Sequence, residues 1–216
     1  ADDSVGTIVI DCHSPGGEVF GTQEAADAVF EARQKKPVIA LVNSLSASAA
    51  YWICSQASEI IATPSSLTGS IGVFAMHEDI SQMAESAGVK VTFISAGKFK
   101  TEGNQFQPLT DDAKAAIQKT IDQHYSAFVG AVARGRKVSQ ASVRDGMGQG
   151  RVLTSKDALA AGMIDRVGTM QELLGSMSVD PGGMMAFEEL EVVASVDDPE
   201  AQLLIERERW EYAKIG

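Results

Sequence analysis

Val5-Gly6-Thr7-Ile8-Val9-Ile10-Asp11-Cys12, followed by Ser14-Pro15-Gly16-Gly17, decides the fold. A β-branched run that stops at a Pro-Gly turn reads as a strand buried on both faces. A helix should follow. Thr22 can cap it, and Ala25, Ala26, Val29 and Phe30 recur at helical spacing until Lys35-Lys36-Pro37 ends it. Residues 37–42 (PVIALV) read as the next strand. Residues 46–57 (SASAAYWICSQA), small and without Pro or Gly, fit a tightly packed helix leaving a strand that ends near Asn43. Further out, 59–62, 72–75 and 89–94 read as strands, with a helix across 80–87 between the last two. This alternation predicts parallel strands joined by right-handed helical crossovers, a layered α/β domain.

Thr110-Asp111-Asp112 opens the longest helix, in which Ile117, Ile121, Tyr125, Phe128 and Val132 form one apolar stripe expected to face the core. Arg134, Arg136 and Lys137 suit its negative end as a solvated cap. Short elements are expected over 138–145, 155–161 and 164–167. The sequence then changes character, and 187–200 (FEELEVVASVDDPE) is strongly acidic. The expected organisation is one domain over 1–175 and an acidic linker with a C-terminal appendage over 176–216. There Leu203, Leu204, Trp210 and Tyr212 could give a helix with one apolar side.

The 216 residues, 44% hydrophobic and 22% charged, suit one compact soluble domain and exclude collagen-like, mucin-like and mainly disordered chains. No stretch reaches the eighteen or so apolar residues of a membrane helix, and no secretion signal is visible. The chain starts at Ala1 rather than Met, which suggests a trimmed piece of something longer. A net charge of −11 opposes phosphate backbones and anionic lipid, so nucleic acid is not an expected partner. Cys12 and Cys54 lie in apolar runs and read as buried free thiols, in keeping with a reducing compartment. Without a Cys-x-x-Cys, and with His13, His77 and His124 scattered, no metal site is expected.

Serine catalysis needs a hydroxyl activated by a base and backbone donors for the charge that develops on the attacked oxygen. Ser48 lies at a strand-to-helix junction among small residues, where a substrate carbonyl could approach and the helix start presents N–H groups. Ser44, Ser46 and Ser48 equally suit capping or packing of that helix. Gly16-Gly17 can turn backbone N–H groups toward a ligand, or form an ordinary turn. Lys98 and Lys100 can flank Phe99 on one side if the chain is extended there. A lysine base needs burial to lose its proton near neutral pH, and the usual fate of a loop lysine is solvent.

In order, the Gly-Gly loop, the small-residue serine motif, Thr68-Gly69-Ser70-Ile71-Gly72-Val73 and the Gly-x-x-Lys segment resemble the signal peptide peptidase A family of Ser/Lys serine peptidases. The likeness runs from Val5 to about Leu174. It implies a Clp/crotonase-like layered α/β fold with repeated strand-helix units and a mostly parallel sheet. It also implies Ser48 as nucleophile, Lys100 as base in preference to Lys98, and Ser70 orienting the lysine. Gly17 or Gly16, with Ala49, would supply the oxyanion donors. Ala49 and Ala50 stand where the family usually has glycines, and His13 where it has Asp. Family members also carry a strand and helix before the one matched by Val5 to Cys12, for which this chain has no room. The stretch Asn104-Gln105-Phe106-Gln107-Pro108-Leu109 looks most like the phage and prophage branch, whose members process capsid and scaffold proteins.

The resemblance therefore implies a serine endopeptidase acting through an acyl-enzyme without cofactor or metal. Its expected partners are protein or peptide substrates, sister subunits in a ring, and capsid or scaffold proteins. The expected location is the bacterial cytoplasm or a phage procapsid, or an extracytoplasmic membrane surface if a missing N-terminal segment carries an anchor. Alternative readings are a signal-peptide-degrading peptidase, a Clp-type enzyme with His77 as base, a crotonase-like acyl-CoA enzyme, and a non-catalytic assembly scaffold whose acidic tail engages capsid partners.

Overall fold

In the computed structural model, which describes residues 4–177, the opening run becomes β1 (Ile8–Ser14). The chain continues through α1 (Thr22–Ala32), β2 (Val38–Ala47), α2 (Ala49–Cys54), β3 (Glu59–Ala62), β4 (Leu67–Gly69) and α3 (Ser81–Ser86). After these come α4 (Asp111–Arg136), α5 (Gln140–Gly146), β5 (Val152–Thr154), α6 (Ser155–Ala160), β6 (Arg166–Val167) and α7 (Met170–Met177). The expected C-terminal appendage falls almost wholly outside the described residues.

β2 is the hub of one six-stranded sheet, with order β5-β4-β2-β3-β6 and β1 also on β2. Every pairing is parallel except β4 with β5. The mostly parallel layered sheet expected from the sequence is therefore the one found. The first half of β2, Val38 to Val42, is covered on both faces, which is why that stretch reads as an unbroken apolar run. On one face Ala40, Val42 and Ile60 pack with Tyr51, Trp52, Phe128, Val129 and Val132. On the other, Leu41 and Ile61 pack with Leu173. Trp52 of α2 and Phe128 of α4 stack with centroids 4.7 Å apart and planes within 6°.

The described residues divide into two units, one holding those up to Ala75 and from Gln118 to Met177, the other Met76–Ile117. The core and the sheet lie in the first. The second holds α3, the turns that follow it and the start of α4.

Several expectations are corrected. The helix foreseen over 46–57 is only α2, because Ser46 and Ala47 continue β2 and pair with Ser14, Thr68 and Gly69. α1 is capped by Gly21 at φ 78°, while Thr22 is its first residue and its hydroxyl donates back to Glu18 O at 2.8 Å. Residues 72–75 and 89–94 form no strands, and among the described residues no backbone group from Lys90 to Ala96 is hydrogen-bonded. Alternating apolar residues mark a segment able to pair, but a ladder also needs a partner edge, and Ile94 stands 98% exposed.

At the basic end of α4, Arg134 and Lys137 are exposed as a solvated cap would be, but the Arg136 side chain is not. Arg136 is buried and grips Asp165 with two hydrogen bonds of 2.7 and 2.9 Å, and Asp165 also accepts the Ile60 N–H at 2.7 Å. Arg134 donates to Gln56 Oε1 and to Asp27. These arginines bind the end of α4 to β3 and to the residues following α2, where Gly135 leaves room for Ser55 O to approach.

Candidate active site

The strand-to-helix corner between β2 and α2 places Ser48 in a conformation few L-residues adopt, with φ 53° and ψ −126°. Holding such a residue costs about 1–3 kcal/mol, so the surroundings must over-determine it. They do so through the Ser48 N–H, which donates to Gly69 O at 2.8 Å, and the Ser48 C=O, which accepts from Trp52 N at 3.0 Å. The side chain makes no cap to α2. Capping is therefore not what this serine does, and its half-buried hydroxyl remains available for other work.

The Ser14-Pro15-Gly16-Gly17 loop closes directly on this corner. Gly16 has φ 101°, and a Cβ there would stand 2.7 Å from Ala47 O and from Ser48 Cβ and 3.0 Å from Ala49 N. Only glycine fits. The Gly16 N–H donates to Ser14 Oγ at 3.2 Å. The Ala49 N–H belongs to the first turn of α2, where N–H groups have no partner within the helix.

Ser70 follows Gly69 in a second constrained turn. Its φ is 55°, its N–H donates to Arg151 O at 2.9 Å, and it is half-buried. Gly69, at φ 137°, lies where a Cβ would come within 2.6 Å of Arg151 O. Four of the expected site residues, Gly16, Ser48, Ala49 and Ser70, are thus linked through direct packing and the Gly69 backbone. Gly17 borders them on the loop.

Lys100 belongs to the second unit. It is exposed in a turn where its N–H donates to Gly97 O at 3.2 Å, so this stretch is not extended and the two lysines do not line one side of a strand. Lys98 lays its ammonium 4.7 Å from the centre of the Phe99 ring. His77, also in the second unit, has Nε2 3.1 Å from Asn104 O. A carbonyl only accepts, so that nitrogen carries a proton.

The thiols of Cys12 and Cys54 are free and buried beneath the corner, as expected. The hydrogen bond from Cys54 draws the Cys12 pKa down to about 7, against burial. Hydrogen bonding to Cys12 and burial push that of Cys54 up. Sequence reading missed one pairing here, since His13 Nδ1 lies 2.6 Å from Ser44 Oγ. The available signal was the polar Asn43-Ser44 pair interrupting an otherwise apolar strand.

A Clp/crotonase-like layered α/β scaffold with a strained serine at the corner of its central strand is the class that fold and site define. Residues 31–181 match Peptidase family S49, and the chain belongs to that family. It is 35% identical over 199 residues to a candidate protease of Methanocaldococcus jannaschii, covering 92% of this chain and 60% of that one. With capsid assembly protease C of Escherichia phage lambda it shares 33% identity over 167 residues, 77% of this chain and 38% of the phage protein. The chain thus spans 60% and 38% of the length of these two relatives, less than two thirds of either. Among solved structures, a mutant of the 1510-N membrane-bound stomatin-specific protease superposes with a TM-score of 0.53 at 18% identity, over 80% of this chain and 70% of that one.

Proposed function

We propose that this chain carries the catalytic machinery of a serine endopeptidase in which Ser48 attacks the peptide carbonyl. The observation that carries the reading is the packing of Gly16 against a strained Ser48 whose hydroxyl caps nothing. Membership of Peptidase family S49 supports the same chemistry.

In this mechanism neutral Lys100 removes the Ser48 proton as the hydroxyl attacks. The oxyanion is held by the N–H groups of Gly17 and Ala49, and Gly16 supplies the space. The lysine then protonates the leaving amine and activates water to release the acyl group. Ser70 orients the lysine amine. Because Lys100 is exposed, its desolvation has to accompany substrate binding or assembly with sister subunits.

The finer reading is processing of phage capsid or scaffold proteins, which the lambda relative supports. Incubating the wild-type chain and Ser48→Ala with a candidate scaffold protein and reading fragments by mass spectrometry tests both levels. Cleavage by the wild type alone is expected. Equal fragment patterns from the two chains would remove Ser48 from the mechanism, and cleavage of general peptides without the scaffold protein would remove the capsid assignment.

A further inference from the structure

β2 is interrupted at Asn43-Ser44, and the interruption is a joint in the sheet. Before it, Val38 to Val42 pair with Ile8 to Cys12 of β1, and Ile39 to Val42 pair with β3. After it, Leu45 and Ser46 resume with His13 and Ser14, while Leu45 to Ala47 change partner to β4. Asn43 and Ser44 face no residue of β1, so their conformation sets where the strand goes next. What comes next is Ser48.

Ser44 takes a left-handed φ of 77°. Three groups hold it there. Thr63 Oγ1 accepts the Ser44 N–H at 3.3 Å, Ser44 Oγ donates to Asn43 O at 2.7 Å, and His13 Nδ1 lies 2.6 Å from Ser44 Oγ and 3.1 Å from Asn43 O. Asn43 O can only accept, and the Ser44 hydroxyl has it as an acceptor at 2.7 Å. His13 Nδ1 therefore carries a hydrogen and donates to both oxygens. With Nδ1 protonated, the imidazole cannot take the Ser44 proton through that nitrogen, so the pair is not a Ser/His dyad.

We propose that His13 is a positioning residue: its Nδ1–H clamps the Asn43-Ser44 joint and thereby sets how the Gly16-Gly17 loop meets Ser48. The inference rests on the reading of Ser48 as nucleophile. The loop leaves β1 at Ser14, the residue after His13, and Ser48 leaves β2 shortly after Ser44. The two meet at Gly16, where there is no space for even a methyl group. A shift at the joint is passed to the oxyanion donors because the contact has no slack, and misplacement by about 1 Å can cost on the order of 100-fold in rate.

The test compares wild type, His13→Phe, His13→Asn and Ser44→Gly in peptide cleavage and in labelling of Ser48 by a fluorophosphonate, with melting curves on each. Phe keeps a ring without the donor, Asn keeps a short N–H donor, and Gly keeps the positive φ without the hydroxyl. Expected are losses of about 10- to 100-fold in kcat and labelling rate for His13→Phe and Ser44→Gly, KM within about twofold, and recovery of most of the rate in His13→Asn. The ¹⁵N spectrum of the wild-type imidazole should show a protonated Nδ1. Wild-type labelling rates in both donor-less variants, or an unprotonated Nδ1, would overturn the clamp. Equal labelling of wild type and Ser48→Ala would instead sink the nucleophile reading, while the imidazole spectrum still decides the clamp.

Discussion

At position 48, φ 53° and ψ −126° put a serine where glycine would be at ease. Stability and chemistry are therefore opposed at this residue. Ser48→Gly should end Ser48 labelling yet raise unfolding free energy by roughly 1 kcal/mol relative to Ser48→Ala, since alanine inherits the strain and glycine does not. Denaturant unfolding of the two variants checks this, and a less stable glycine variant would mean the corner is unstrained. Gly16 makes the reciprocal case. Gly16→Ala adds a methyl 2.7 Å from Ser48 Cβ at φ 101°, so either loop or corner must move. Labelling of Ser48 should slow by on the order of 100-fold, with a loss of about 1–3 kcal/mol in stability. A labelling rate within twofold of wild type would separate this loop from the site.

Between elements, the Arg136–Asp165 pair joins α4 to the segment before β6, and through Ile60 to β3. Burial works against the Asp165 carboxylate, but the Arg136 hydrogen bonds, the Ile60 N–H and the arginine's charge outweigh it and hold its pKa below the usual carboxylate range. A depressed carboxylate contributes stability that is complete above its unfolded pKa, about 4, and is lost as pH falls through the folded value. Asp165→Asn should therefore cost about 1–2 kcal/mol at pH 7, less than a fully buried pair because the carboxylate is partly exposed, and progressively less below pH 4, as urea midpoints across that range would report. An identical loss at pH 7 and pH 3 would show that the charge is not what matters. The pair was not legible as a contact in the sequence, because Arg136 at a helix end reads by default as a dipole-matched solvated cap. What pulls it inward is Asp165, 29 residues away. β1 and the first half of β2 were legible because β-branched runs bounded by Pro and Gly admit few other readings. The second half of β2 was not. Ser46 and Ala47 have little strand preference of their own and are held extended by pairing with β1 and β4.

At the level of the whole molecule, the two groups of the proposed dyad come from different units, Ser48 from the one that holds the sheet and Lys100 from the one over Met76–Ile117. Motif order alone named both, since no local property of an exposed lysine in a turn marks it as a base. The Gly16–Ser48 contact could be foreseen in the same way, whereas the His13–Ser44 clamp could not, because it depends on a left-handed serine that only the sheet register creates. Lys100→Ala should lower the rate of Ser48 labelling by on the order of 10²- to 10⁴-fold, the span of a lost general base, with a melting temperature close to wild type because the side chain is exposed. His77→Ala should change labelling by no more than a few fold, since its Nε2 hydrogen is committed to Asn104 O within the second unit. Labelling rates for the three chains, measured from about pH 5 to 9, discriminate the bases: a lysine base gives a wild-type rate that falls as pH drops and an alanine variant that is slow throughout. If Lys100→Ala follows the wild-type profile while His77→Ala collapses, the base is the histidine and the Ser/Lys assignment is wrong.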